Sequence, residues 1–194
     1  MSREFTALRQ RLEDPAGGAT SWNAGVNYSQ LFEKADETDR QTVEALYRMA
    51  GLSVRDDLAT LEKAPRVPAE PAPIDFVWKM YRFDGKIAIP VLGLSSTGDP
   101  YVWSSIDSGY AATVQKAGRQ DLLRLTYVHS AGHCAFSEAE RIATYEVLLE
   151  RLDTGRWPDM SPAAMNMRAA ALNVGAARFW EYKGPVSQRA SAKP

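Results

Sequence analysis

The sequence has very little cysteine and histidine. Among its 194 residues there are one cysteine, Cys134, and two histidines, His129 and His133. These numbers exclude a disulfide framework within the chain and a zinc site built from several cysteines. We therefore expect a reduced protein that holds no metal ion and no cofactor.

Long hydrophobic runs and an excess of one charge are also absent. No stretch approaches the roughly 20 consecutive apolar residues of a membrane span, and the opening MSREFTALRQRLED is charged, unlike a signal peptide. The 23 basic and 24 acidic side chains give a net charge of -1, which provides no electrostatic basis for binding nucleic acid or an anionic membrane. We expect a cytoplasmic protein without a membrane span.

The order of sequence patterns divides the chain into three parts. Residues 1–85 have helical spacing of apolar residues and end in the stretch APRVPAEPAP, whose four prolines predict a stiff connector before a short helix at 76–81. Residues 86–157 follow the order strand, helix, strand, helix, with strands predicted at 91–94 and 123–128. Residues 158–194 form a carboxy-terminal extension.

Two candidate site residues follow the two predicted strands. A strand, a crossover helix and a second strand form a βαβ unit, whose strands are almost always parallel and therefore end on the same side of the sheet. The loops at 95–103 and 129–136 leave that side with Asp99 and His133. Because neighbouring strands lie about 4.8 Å apart, the carboxylate and the imidazole can form a hydrogen bond. Such a pair is the acid and base of a catalytic triad.

Each residue also has an ordinary structural interpretation. Asp99 precedes Pro100 in a turn, where aspartate is common for local hydrogen bonding. His133 is open to interpretation as a structural histidine, and the matching strand ends are what favour the triad. Trp103 is close enough to Asp99 in the sequence to be the wall of a substrate pocket.

A nucleophile is not evident in the sequence. The motif G-x-S-x-G, which presents an activated serine on a strand-to-helix turn, does not occur in the 194 residues. Cys134 adjoins His133, but neighbours in a tight loop rarely point at one another, and a single cysteine is more often a small buried apolar residue.

The segments around these residues resemble a known family. The stretch IPVLGLSSTGDPYV, followed by YVHSAGHCAFSEAE, resembles the carboxy-terminal part of an α/β-hydrolase. AGGATSWNAGVNY and ALYRMAGLSVRDDLATLEKAPRV resemble the helical cap-side region of this family, and LLERLDTGRWP resembles the end of its last helix. The resemblance implies that Asp99 is the triad acid and His133 the triad base. It also implies that the serine and the oxyanion hole lie upstream of Met1, and it predicts smaller residues than those of DPYVWSS after the aspartate.

These observations predict an incomplete α/β-hydrolase fold. Two parallel strands with flanking helices do not make a stable domain, and a free apolar strand edge is normally paired or covered. We expect a helical cap over residues 1–85, and a partner chain or a further segment that completes the sheet and carries the serine. The leading hypothesis is a subunit or fragment of a serine hydrolase, of the esterase, lipase, thioesterase or peptidase type, inactive alone. The alternatives are a non-catalytic scaffold derived from a hydrolase and an α/β-hydrolase fold with non-hydrolytic chemistry.

Overall fold

A computed structural model describes residues 3–35 and 37–183, and the chain divides into two compact units between Arg82 and Phe83. None of the described helices combines the length and the apolar content needed to cross a bilayer. The final part of the predicted extension, 184–194, lies outside the described residues. The elements of the described residues, in chain order, are α1 (Arg3–Ala16), α2 (Tyr28–Glu33), α3 (Glu37–Met49), α4 (Val54–Lys63), α5 (Pro71–Tyr81), β1 (Val91–Gly98), α6 (Ser104–Lys116), a 3-10 turn (Gln120–Leu122), β2 (Leu123–Ala131), α7 (Glu138–Thr154), α8 (Pro162–Ala171) and β3 (Phe179–Trp180).

The first unit contains α1 to α5. Within it α1 packs with α5, and α2 packs with α4. The Glu62 carboxylate of α4 accepts the backbone N–H groups of Tyr28 and Ser29 at 2.5 and 3.2 Å, so a negative charge lies at the amino end of α2. Ser53 caps α4 by accepting the N–H of Asp56 at 3.2 Å.

Helix α5 begins earlier than the sequence predicts. The segment 65–69 has no regular secondary structure, but Pro71 and Pro73 belong to the helix rather than to the connector. Proline is tolerated in the first turn of a helix because the N–H group that it lacks has no acceptor within the helix there. Pro73 and Ile74 are buried, so packing favours this early start.

The second unit is built on a three-stranded sheet in the order β1-β2-β3. The parallel pairing of β1 with β2 is confirmed. The prediction of two strands is wrong because β3, in the carboxy-terminal extension, pairs antiparallel with β2 through Phe179 and Trp180. Two residues are too short to produce the alternating pattern by which strands are recognised. Strand β1 lies at an edge of the sheet.

Strand β1 also extends through 95–98, which the sequence analysis assigned to a loop. The reason is a polar contact across the sheet. The buried Ser96 hydroxyl donates to the carbonyl of Ser130 at 2.6 Å and lies 2.8 Å from the Ser130 hydroxyl. Pairing with β2 thus supplies hydrogen-bond partners for polar side chains of β1, and the polarity of these side chains had indicated a loop.

Helices cover both faces of the β1–β2 pair. Leu94 packs against the core beside α7, while the hydroxyl of the next residue, Ser95, donates to Asp107 of α6 at 2.5 Å. Because successive strand residues face opposite sides, α6 and α7 lie on opposite faces. The core on the α7 side consists of Val128, Ala139, Ala143, Val147, Met165, Ala169 and Phe179.

Candidate active site

Asp99 lies directly after β1, in a turn that its own side chain organises. Its Oδ1 accepts the backbone N–H groups of Tyr101 and Val102 at 2.8 and 3.1 Å. This arrangement is the local hydrogen bonding that makes aspartate common in turns. The Asp99 side chain is only 8% exposed, and its second oxygen, Oδ2, is directed at His133.

His133 lies in the loop that joins β2 to α7. Its Nδ1 is 2.8 Å from Oδ2 of Asp99, so the structure brings the two predicted residues together. The imidazole is 48% exposed, and the ring of Tyr101 meets it edge-on at a centroid distance of 5.3 Å. With Nδ1–H donating to the carboxylate, Nε2 is the nitrogen left to exchange a proton with a reacting group. The catalytic roles of both residues stay predictions.

The close approach of the two strand ends depends on Gly98. The register of β1 against β2 shifts between Ser96 and Gly98, and the Gly98 carbonyl accepts the N–H of Gly132 at 3.1 Å. A Cβ atom at position 98 would lie 2.5 Å from the Ser130 carbonyl oxygen and 3.0 Å from the Cα of Ala131. These are backbone atoms that cannot move independently of the strand, so only glycine fits.

The pKa of Asp99 is lowered to about 2. Partial burial of the carboxyl raises the pKa, but the N–H groups of Tyr101 and Val102 and the hydrogen bond and charge of His133 lower it by more. The side chain is therefore a carboxylate at neutral pH, which is the form that can orient an imidazole and stabilise its cation.

Cys134 is exposed, contrary to the expected buried position. Its backbone has a φ of 52°, in the left-handed region that few residues other than glycine adopt. The Sγ atom lies 3.7 Å from Nε2 and 3.9 Å from Nδ1 of His133. Because these distances are nearly equal, the sulfur does not lie along the lone pair of either nitrogen. This geometry does not align the thiol for proton transfer to Nε2.

The aromatic residue that contacts His133 is Tyr101, which the sequence analysis did not single out. Its position two residues after Asp99 was the available indication. Trp103, the predicted pocket wall, is the N-cap residue of α6 and is largely exposed. The other histidine, His129, lies against Trp180 at a ring distance of 4.7 Å.

A second polar cluster behind the His133 loop was also missed. Ser137 and Glu140, three residues apart in the sequence, have the spacing of a capping box, and the structure contains this capping box. Arg178, 38 residues further along the chain, hydrogen-bonds to the same carboxylate. Within residues 3–35 and 37–183, no three or more His, Cys, Asp or Glu side chains are grouped to hold a metal ion.

Replacing Gly98 by alanine is expected to destabilise the protein by about 1–3 kcal/mol and to separate Asp99 from His133, because the new methyl group collides with the backbone of β2. Gly93→Ala is the matched control on the same strand. Its Cβ would lie 2.7 Å from the terminal Cδ2 of Leu125, which can rotate away, and 4.0 Å from the Arg124 carbonyl oxygen, which is an ordinary contact distance. Urea unfolding and the NMR signals of His133 measure the two effects. If the two variants had equal stability and equal His133 signals, the result would contradict the conclusion that only glycine fits at position 98.

The variant His133→Ala is expected to raise the pKa of Asp99 from about 2 towards its ordinary 3.8, because the hydrogen bond and the charge of the imidazole are lost. A carboxyl group whose pKa is lowered by folding stabilises the folded protein at pH values above its pKa in the unfolded chain. This contribution is lost as the pH falls through the pKa of the folded protein. The variant should therefore lose this contribution at a higher pH than the wild type. Carbon-13 NMR titration of the Asp99 carboxyl measures the change, and an unaltered pKa would mean that His133 is not its partner.

The chain is similar to a known amidase. It is 35% identical over 171 residues to o-phthalyl amidase of Xanthobacter agilis, and the match covers 87% of this chain. The chain spans 38% of the length of that enzyme. No protein-family model matches the chain, and no solved structure does. The similarity to an amidase is compatible with a hydrolase.

Proposed function

We propose that this chain supplies the acid and base of a serine hydrolase that cleaves amide bonds. The observation that carries the proposal is the 2.8 Å contact between Nδ1 of His133 and Oδ2 of Asp99 beyond the ends of two parallel strands. The similarity to an amidase supports hydrolysis of an amide. The serine is carried by a partner chain or by a segment outside this sequence, since no G-x-S-x-G motif occurs within it.

In this mechanism Asp99 fixes the imidazole of His133 with a proton on Nδ1. Nε2 of His133 removes the proton from the serine hydroxyl as the oxygen attacks the amide carbonyl, and the Asp99 carboxylate stabilises the resulting imidazolium. The proton then passes to the leaving amine, which departs from an acyl-enzyme. Water enters, Nε2 removes its proton, and the acid is released as the serine is restored.

The residues after Asp99 favour an acyl group with an aromatic ring. Tyr101, Val102 and Trp103 are exposed apolar side chains within four residues of the triad acid. Scattered apolar residues are normal on a surface, but consecutive ones beside a polar site are typical of a ligand pocket wall. The relative is named for an o-phthalyl group, whose ring would pack against such side chains. We propose an aromatic acyl amide as the substrate, with Trp103 in the wall of its pocket.

The test uses a fluorophosphonate, which labels activated serines. The tagged chain is expressed in its own host and captured together with the polypeptides that it binds. We expect the label on a captured polypeptide rather than on this chain, and a loss of labelling with His133→Ala, because an unactivated serine reacts slowly. Labelled-peptide mass spectrometry and release of acid from an o-phthalyl amide are the measurements.

Two outcomes would overturn the proposed function. Labelling that is unchanged in His133→Ala would mean that the histidine does not activate the serine. Complete absence of labelling and of amide hydrolysis would favour the non-catalytic scaffold. The variant Arg168→Lys, which alters an ion pair between α8 and α7 at Glu150, is the control for nonspecific effects.

The partner is proposed to add a parallel strand to the free edge of β1. Within the described residues no strand pairs with this edge. An open groove of about 230 Å³ is lined by Leu92 and Leu94 of β1 and by Tyr145 and Leu148 of α7, together with polar residues of the same helix. Unpaired backbone groups and an apolar groove together favour a strand whose apolar side chains face α7.

In this arrangement Tyr145→Glu is expected to weaken capture of the partner at least about tenfold, because burial of an apolar side chain contributes about 1.5–3 kcal/mol and a carboxylate resists burial. Met167→Glu on α8 is the matched control, since Met167 is 69% and Tyr145 68% exposed. Hydrogen exchange of residues 91–98, with and without the captured polypeptide, tests the pairing directly. Unchanged exchange on binding would place the partner elsewhere.

A further inference from the structure

The loop that carries His133 has a backbone conformation that needs external support. Gly132 has a φ of 111°, and Cys134 has a φ of 52°. A left-handed conformation is costly for a residue with a Cβ atom and persists where neighbouring groups hold it. Within the loop itself, the N–H of Phe136 donates to the Cys134 carbonyl at 2.8 Å. The rest of the loop backbone is therefore expected to be held by contacts with residues outside the loop.

The anchor for such contacts is Glu140, which is completely buried. Its carboxylate accepts four hydrogen bonds: from the N–H of Ser137 at 2.7 Å, and from the backbone N–H, Nε and Nη2 of Arg178 at 2.9 Å each. Four donors use the acceptor capacity of a carboxylate. Burial raises the pKa of Glu140, but the bonds from Arg178 and Ser137 lower it by more, so the group is charged at neutral pH.

From this anchor, Arg178 bonds to the His133 loop and to strand β2, which precedes the loop. Its Nη2 donates to the carbonyl of Ala135 at 2.9 Å, two residues after His133. Its own carbonyl accepts the N–H of His129 at 2.9 Å, four residues before His133. The planar guanidinium can bond to a carboxylate and a carbonyl at once because its donors point in fixed directions.

We propose that Arg178, anchored on Glu140, is the positioning residue that keeps the imidazole of His133 against Asp99. Its importance for catalysis rests on the proposed function, whereas its effect on the two side chains is measurable without any activity. Arg178 has no part in proton transfer, and it acts only through the loop.

The test compares Arg178→Lys with Arg168→Lys in the full chain. Lysine keeps the positive charge beside Glu140, but it has a single nitrogen in place of the guanidinium fork and cannot reproduce all the side-chain bonds to Glu140 and Ala135. Arg168 is an arginine of the same unit whose Nη2 lies 2.7 Å from Glu150, and it is the matched control. Circular dichroism and thermal melting establish that each variant is folded.

The decisive measurement is the pKa of Asp99, followed by carbon-13 NMR, because contact with His133 lowers that value. We expect Arg178→Lys to raise the pKa of Asp99 as far as His133→Ala does, and Arg168→Lys to leave it unchanged. The alkylation rate of Cys134, the single cysteine of the chain, should also change several-fold in Arg178→Lys, because its Sγ lies beside the His133 ring and loses this neighbour when the loop moves. An unchanged Asp99 pKa and an unchanged alkylation rate in folded Arg178→Lys would overturn the proposal.

If Arg178→Lys does not fold, the double variant Glu140→Gln/Arg178→Met replaces it, because it removes the guanidinium without leaving a buried unpaired charge. The same two measurements then decide, with the same outcomes. In the captured complex, we expect kcat to fall with little change in KM. A complex that lacks hydrolase activity contradicts the proposed function alone, because the Asp99 and Cys134 measurements do not depend on activity.

Discussion

The buried charge of Glu140 constrains the part of the second unit that contains the candidate site. An ionised carboxylate away from solvent is tolerated only when its oxygens are hydrogen-bonded and its charge is paired. Ser137 and Arg178 meet both conditions. The requirement fixes the amino end of α7, the loop directly before it, and the segment entering β3, which lies 38 residues further along the chain.

Strand β3 is held partly by side-chain hydrogen bonds where a longer strand would have a second neighbouring strand. It consists of two residues, and β2 pairs with it on one side. On the other side Asn166 of α8 accepts the N–H of Phe179 at 3.0 Å and donates to its carbonyl at 2.8 Å. The amide therefore makes the two bonds that a neighbouring strand would make. Phe179 is thereby held in the core beside Val128, and Arg178 is held in place beside the His133 loop.

Local chemistry explains which of these features could be predicted from the sequence. Parallel pairing of β1 and β2 followed from two apolar runs separated by a helical pattern, and the Ser137–Glu140 capping box followed from residues three apart. Contact between Asp99 and His133 was predictable because parallel strands end on one side. Arg178 was not predictable, since its partners lie 38 or more residues away and no periodicity marks it. The exposure of Cys134 depends on a loop conformation that composition does not encode.

The edge of the sheet that is proposed for the partner, and that no strand pairs with in the described part of the chain, is also the edge next to Asp99. A parallel strand added to β1 would end on the same side as β1 and β2, about 4.8 Å from the end of β1. A loop leaving that strand, or the one beyond it, begins within reach of the imidazole. Contacts within this chain already hold Asp99 and His133 together. Under the proposed function, the partner therefore needs to contribute the serine and the oxyanion donors, and it does not need to organise the acid and the base. In this proposal, binding of the partner produces activity by adding a strand beside β1, and Asp99 and His133 do not need to rearrange.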